Sequence, residues 1–315
     1  MQRASAAAEA QAVGRRGECR TRDSVCELLA MPTTAILLHQ INQQKGTSFT
    51  LLDRYSTGEQ GAFALTDTTG AQFVLKWAPD PMKLSTFQRA QQITDRLRAI
   101  GYPAPHYVLL GCTPNSAYAI QHTLPGEPMQ HLTLALVRHF LAVNERQAGQ
   151  ARFETSSWPA PVVAPVLYGG DGFCLLEPMR TYSSTTAIML RAVQDRVRQY
   201  ANHRYPTADV VHYDCNPSNV LVEAATITGV IDWDGWCPGD CTFDVATMLF
   251  YSYTDPQVRP LLWQTINARV GPAIGGVYLA HLIHRQVDWS IRYHDQAAIA
   301  GWLTIAQQVL DDLPA

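Results

Sequence analysis

The chain has 315 residues, 47% of them hydrophobic and 16% charged, with 24 Lys and Arg against 27 Asp and Glu for a net charge of −3. Apolar side chain on that scale offsets the entropy of ordering, which excludes disorder over the whole length, and the length allows about two domains with a large core. The near-balanced charge excludes duplex nucleic acid as the main partner, because that affinity rests on clustered basic residues.

Residues 1–31 hold seven Ala and five Arg with Glu9, Glu18, Asp23 and Glu27, and no aromatic precedes Phe49. They lack the apolar stretch of a signal peptide and are too acidic for a transit peptide, so they read as a flexible extension. From Phe49 the texture is strand-like. Residues 49–52, 61–66 and 72–77 are short apolar runs separated by turn formers, and the second and third read as a hairpin through Asp67-Thr68-Thr69-Gly70. A helix is expected over 84–100, stopped by Gly101 with Pro103 beyond. Strands near 107–111 and 117–121 lead into Leu124-Pro125-Gly126. Beyond Gly126 helices are expected at about 130–146, 184–201, 242–253, 257–270 and 275–311, interrupted by strands at 220–222 and 230–232.

The seven cysteines are odd in number and scattered, which is not a secreted disulfide framework. Cys237 and Cys241 are the only close pair and nothing completes a zinc set around them. No run reaches about 18 consecutive apolar residues, so no spanning helix and no membrane partner are expected. A reducing cytoplasm is the expected location.

The chemistry concentrates in His212-Tyr213-Asp214-Cys215-Asn216-Pro217-Ser218-Asn219 and in Val230-Ile231-Asp232-Trp233-Asp234. Asp214 and Asn219 sit five apart on a Pro-containing loop that opens onto a strand, and Asp232 arrives at the end of the returning strand. Carboxylate and amide oxygens are hard ligands suited to Mg2+, which keeps the rest of its shell for water and phosphate. Lys76 stands on a strand of the first half, ahead of a helix. A strand lysine, an HxDxxxxN loop and then an Asp at a strand end is the kinase order: lysine on the phosphates, Asn and Asp on the metal, and the first Asp on the acceptor hydroxyl.

These residues make the sequence resemble the aminoglycoside phosphotransferase family, a kinase-like branch that also includes choline, fructosamine and macrolide kinases. Asp232-Trp233-Asp234 looks like the family's metal motif, and Gly239-Asp240-Cys241-Thr242-Phe243-Asp244-Val245-Ala246 like the stretch that follows it. Gly101-Tyr102-Pro103-Ala104-Pro105 and Leu124-Pro125-Gly126 also match, so the resemblance runs from about residue 50 to the end. It implies an α+β, bilobal, protein-kinase-like fold, with a β-rich nucleotide lobe over 32–126 and a helical acceptor lobe over 127–315. It implies a small-molecule kinase that moves the γ-phosphate of ATP or GTP, with Mg2+, to a hydroxyl of an aminoglycoside-like or other antibiotic or metabolite acceptor.

In that reading Asp214 is the catalytic base, Asn219 and Asp232 hold the metal, Lys76 holds the phosphates, and Gln121 and Thr123 lie on the linker that meets the base of the nucleotide. His212 and Asp244 support the loop. Ser56, Gly58 and Gly61 either lie over the phosphates or serve only a hairpin turn. Trp233 is a core residue, Asp234 a turn residue or a second ligand. Trp236, Asp288 and Tyr293 are acceptor-pocket candidates, although Asp288 with Arg292 is ordinarily a solvated helix pair. Two features depart from the family. Tyr213 replaces the usual Gly of the loop, and no Glu lies between residues 84 and 100 to pair with Lys76, so Gln91 hydrogen-bonds it weakly, an acid substitutes for the Glu, or the nucleotide grip is looser. A catalytically silent nucleotide-binding protein and a choline- or amino-sugar-type kinase are the rival readings.

Overall fold

The computed structural model describes residues 23–55, 61–170 and 172–314. They form two compact units. One takes in the described residues up to Gln130 together with Ser218–Gly235; the other takes in His131–Pro217 and the residues from Trp236 on.

The first unit carries helix α1 (Asp23–Lys45), strands β1 (Thr50–Arg54), β2 (Ala62–Thr66) and β3 (Gln72–Ala78), helix α2 (Leu84–Ala99), and strands β4 (Tyr107–Thr113), β5 (Ser116–His122) and β6 (Glu127–Pro128). Strands β1 to β5 make one sheet in the order β1-β2-β3-β5-β4, with every neighbouring pair antiparallel. Successive side chains on a strand face opposite sides. Phe73 and Leu75 of β3 therefore enter a core with Phe63, Leu65, Tyr118 and Ile120, and with Leu37, Leu38 and Ile41 of α1, while Lys76 belongs to the other set. The β2–β3 turn is built by Asp67, whose Oδ1 accepts from the amides of Thr69 (2.8 Å) and Ala71 (3.0 Å), with Gly70 at φ +85°. Helix α2 buries Phe87, Ala90, Ile93 and Leu97, one stripe at helical spacing. Helix α1 takes in residues 23–31, which composition alone assigns to an extension; residues 1–22 lie outside the described residues.

Strands β8 (Val220–Glu223) and β9 (Thr226–Val230) form an antiparallel hairpin in this unit, with β6 beside β8. Gly126 precedes β6 at φ +94°, where a Cβ would meet the Val222 carbonyl at 2.8 Å, so only glycine lets the chain pass there.

The second unit is mainly helical: α3 (Leu134–Glu145), α4 (Ala160–Tyr168), α5 (Leu176–Tyr182), α6 (Ser184–Tyr200), α7 (Thr242–Tyr251), α8 (Arg259–Tyr293) and α9 (Gln296–Asp312). Two short strands, β7 (Asp209–Val211) and β10 (Cys237–Gly239), pair antiparallel. Helix α7 is buried on every side from Thr242 to Phe250, the mark of a central helix. Helix α8 bends at Gly271 (φ +75°, ψ 168°) before Pro272. The single helix expected over 275–311 is instead broken at His294. Asp295 starts α9 as its N-cap, its side chain accepting from the Ala298 amide at 2.9 Å.

Candidate functional site

In the first unit Lys76 sits on β3 between Ala62 of β2 and Ala119 of β5. Its Nζ lies 2.6 Å from Asp232 Oδ1, with side-chain exposures of 19% and 45%. Burial acts to discharge the ammonium, but Asp232 and then Asp234 hold it charged, above its ordinary value. The question left by the missing helix Glu is thus answered within this unit: the acid that meets Lys76 comes from the far end of β9, not from α2.

Asp232 and Asn219 stand at the same end of the β8–β9 hairpin. The register pairs Val220 with Val230, and one step outward the Ile231 amide donates to the Asn219 carbonyl at 2.9 Å. Asp232 takes φ +71°, a left-handed value for a non-glycine residue, and such strain clusters at functional sites. Trp233, fully buried, anchors the segment: its indole N–H donates to the Val230 carbonyl at 2.8 Å and its ring meets Tyr102 edge-on at 5.5 Å. The backbone thus brings Asp232 and Asn219 to one end of the hairpin, and carboxylate and amide oxygens are donor types that fit Mg2+.

The linker expected to meet the nucleotide base lies at the end of β5. The amides of His122 and Thr123 are already committed, to the carbonyls of His106 (2.9 Å) and Gln72 (3.2 Å), and Gln121 is buried within β5 between Val74 and Tyr107. The Thr123 hydroxyl, by contrast, is buried without a hydrogen-bond partner among the described residues, which suits an incoming polar group. Gly61 has φ +66°; Ser56 and Gly58 lie outside the described residues.

In the second unit the loop after β7 is held from below by Asp244 at the start of α7. Its Oδ2 accepts from the His212 amide (2.9 Å) and Gln147 Nε2 (2.7 Å), and its Oδ1 from the Tyr213 amide (3.0 Å). Burial pushes the Asp244 carboxyl up, against the opposing pull of His212 and these donors. His212 is fully buried and its Nδ1 accepts from the Asp214 amide at 3.3 Å. Tyr213 has φ +73°. Its ring stacks on Phe243 at 5.3 Å, and its hydroxyl donates to the Pro161 carbonyl at 2.7 Å. A large side chain therefore occupies a backbone conformation that glycine adopts without strain.

Asp214 Oδ1 receives Asn216 Nδ2 at 3.1 Å and Arg285 Nη2 at 2.7 Å, and Arg285 Nη1 donates to the Tyr213 carbonyl at 2.9 Å. Sequence reasoning missed Arg285. It lies on α8, 71 residues from its partner, and no local pattern marks it. Cys215 is buried, and burial raises its thiol well above the ordinary range, so it is an inert packing residue.

The acceptor-pocket candidates are scattered in character. Trp236 is buried. Tyr293 is exposed and stacks on Trp289 at 4.1 Å, with Arg292 over its ring at 4.8 Å. Asp288 is not in a solvated pair. Its side chain is fully buried and its two oxygens take Arg292 Nε (3.0 Å) and Nη2 (2.7 Å), because position 288 faces the inside of the helical unit.

Residues 55–274 match the model of a family described as the phosphotransferase enzyme family. Among solved structures the chain is similar to a thermostable mutant of aminoglycoside phosphotransferase APH(4)-Ia in ternary complex with ADP and hygromycin B, at 17% identity over 87% of this chain and 97% of that one, TM-score 0.67. It is also similar to an amicoumacin kinase in complex with AMP-PNP, Ca2+ and Ami (13% identity, 87% and 94% covered, TM-score 0.59). A third is an aminoglycoside phosphotransferase from Alicyclobacillus acidocaldarius (13% identity, 84% and 91% covered, TM-score 0.54). At these identities the likeness is one of fold. No curated protein matches the chain in sequence.

Proposed function

This chain belongs to the phosphotransferase enzyme family, and on that premise we propose that it is a small-molecule kinase that transfers the γ-phosphoryl group of ATP or GTP to a hydroxyl of an antibiotic or related metabolite. The observation that carries the reading is the 2.6 Å pairing of Lys76 with Asp232, two residues 156 apart in sequence that the kinase order assigns to phosphate and metal. Hygromycin B, bound in one similar protein, and amicoumacin, which another is named for, mark the acceptor class to try first.

Each residue has a part. Lys76 holds phosphate oxygens by charge, and the Thr123 hydroxyl meets a polar group of the nucleotide. Asn219 and Asp232 would hold Mg2+, which when bound offsets phosphate charge as it shifts toward the leaving oxygen. Asp214 orients the acceptor hydroxyl and takes its proton as the new oxygen–phosphorus bond forms and the bond to the bridging oxygen of the nucleoside diphosphate breaks. Asp244 and His212 keep the loop in place for this. Most of the rate gain is positioning and electrostatics. The reading puts the protein in the cytoplasm, where its nucleotide is made; Cys112, Cys174, Cys215, Cys237 and Cys241 are free thiols.

The test is a panel of aminoglycosides, other antibiotics, sugars and amino alcohols incubated with MgATP or MgGTP and read by mass spectrometry for one added phosphoryl group. At least one acceptor gains it in a Mg2+-dependent way. A nucleotide that binds but is never turned over, with any acceptor, would leave the silent-binder reading standing instead.

A further inference from the structure

We infer that Arg285 is a positioning residue for phosphoryl transfer, a guanidinium that clasps the backbone of Tyr213 and the carboxylate of Asp214 so that the base points one way. The inference rests on the role proposed for Asp214. The geometry is specific. Arg285 uses two different nitrogens on two different acceptors, the Tyr213 carbonyl at 2.9 Å and Asp214 Oδ1 at 2.7 Å, and its plane lies over the Tyr213 ring at 5.6 Å. Asn216 Nδ2 arrives on the same oxygen at 3.1 Å. Two donors converging on one carboxylate oxygen fix the rotation of the group as well as its place.

The clasp is needed where it sits. Tyr213 holds a left-handed backbone conformation at φ +73° that its side chain disfavours. On one side Asp244 binds the amides of His212 and Tyr213. The N–H of the peptide after Tyr213 has only a long bond to His212 Nδ1 (3.3 Å), and Arg285 adds a shorter hold on its carbonyl at 2.9 Å. Arg285 supplies that hold from α8, between the buried His281 and His284 and the buried Asp288. Those neighbours do not compete for it. His281 Nδ1 donates to the Val162 carbonyl (2.9 Å), His284 Nε2 to the Leu175 carbonyl (3.1 Å), and Asp288 is taken by Arg292. Burial disfavours the Arg285 charge but Asp214 keeps it above its ordinary value. Lysine replaces it only in part, since a single ammonium does not match the planar fork that reaches both acceptors.

The experiment compares wild type, Arg285→Lys and Arg285→Ala in Mg2+-dependent hydrolysis of ATP, with water as the acceptor. Arg285→Ala is expected to lose about 100-fold in kcat, the scale of an ångström-size misplacement, while KM for MgATP stays near the wild-type value. Millimolar guanidinium ion, added to Arg285→Ala, restores kcat with saturation, and it does not stimulate wild type. Arg285→Lys keeps an intermediate kcat. Equal kcat in wild type and Arg285→Ala would overturn the inference, as would a lower kcat that guanidinium fails to raise and that follows a loss of thermal stability. Should Arg285→Ala not fold, Arg285→Lys carries the test: a change in KM alone sinks the proposal. Wild type with no Mg2+-dependent turnover of any kind would overturn the functional reading instead.

Discussion

Tyr213 and Asp232 each hold a left-handed backbone angle in the two segments to which the proposed function assigns the chemistry, at φ +73° and +71°. For Tyr213 two effects oppose each other. Glycine there would relieve strain of about 1–2 kcal/mol, but it would remove a half-buried aromatic ring stacked on Phe243, a loss of up to about 3–5 kcal/mol. Packing wins, so Tyr213→Gly should lower stability by roughly 2–3 kcal/mol in urea denaturation despite restoring the family's usual residue. At the other angle, Asp232→Asn should remove the Mg2+-dependent part of nucleotide-induced thermal stabilisation, measured by melting with and without the metal. His281 sets a pH dependence. Burial and then Arg285 depress its pKa from 6.5 to about 3, so the unfolded chain binds the extra proton. Its contribution is full above pH 6.5 and declines as pH falls toward 3, by at most about 1.4 kcal/mol per pH unit. The urea midpoint should fall between pH 6.5 and 5, and His281→Gln should flatten that slope.

Elements declared themselves in the sequence where their end signals are local. Helix α2 runs Leu84–Ala99 against an expectation of 84–100, because Gly101 and Pro103 punctuate it. The β2–β3 hairpin was legible for the same reason, through Asp67 and Gly70. Helices α1, α4 and α5 were missed: Pro32 and Pro165 lie inside the first two, where proline ordinarily argues against a helix. Asp295 was missed because its cap is visible only through the Ala298 amide. The kinase-order residues were legible as types in sequence, whereas Arg285 and the Asp288 burial depend on contacts that no spacing encodes. One turn offers a direct check. The β8–β9 hairpin turns through Ala224 and Ala225, both at positive φ (46° and 61°), where Asn-Gly suits the geometry. Replacing them by Asn and Gly should stabilise the protein by about 1–2 kcal/mol, read from the denaturant midpoint.

At the scale of the molecule, the residues given roles in the proposed function fall in two units. One carries Lys76, Asn219 and Asp232, the other Asp214 with Arg285 and Asp244, and the chain passes from one to the other between Pro217 and Ser218, inside the loop that carries both sets. The proposed roles therefore predict separable defects: substitutions in the first unit alter nucleotide and metal affinity, and those around Asp214 alter turnover. The net charge of −3 suits a cationic acceptor without requiring one. The most direct measurement is transfer from MgATP to the acceptor found in the panel by wild type and by Asp214→Asn, together with the nucleotide affinity of each. The account predicts that Asp214→Asn loses at least about 100-fold in kcat, the scale of general base catalysis, while binding MgATP as wild type does. Wild-type kcat in Asp214→Asn would contradict it.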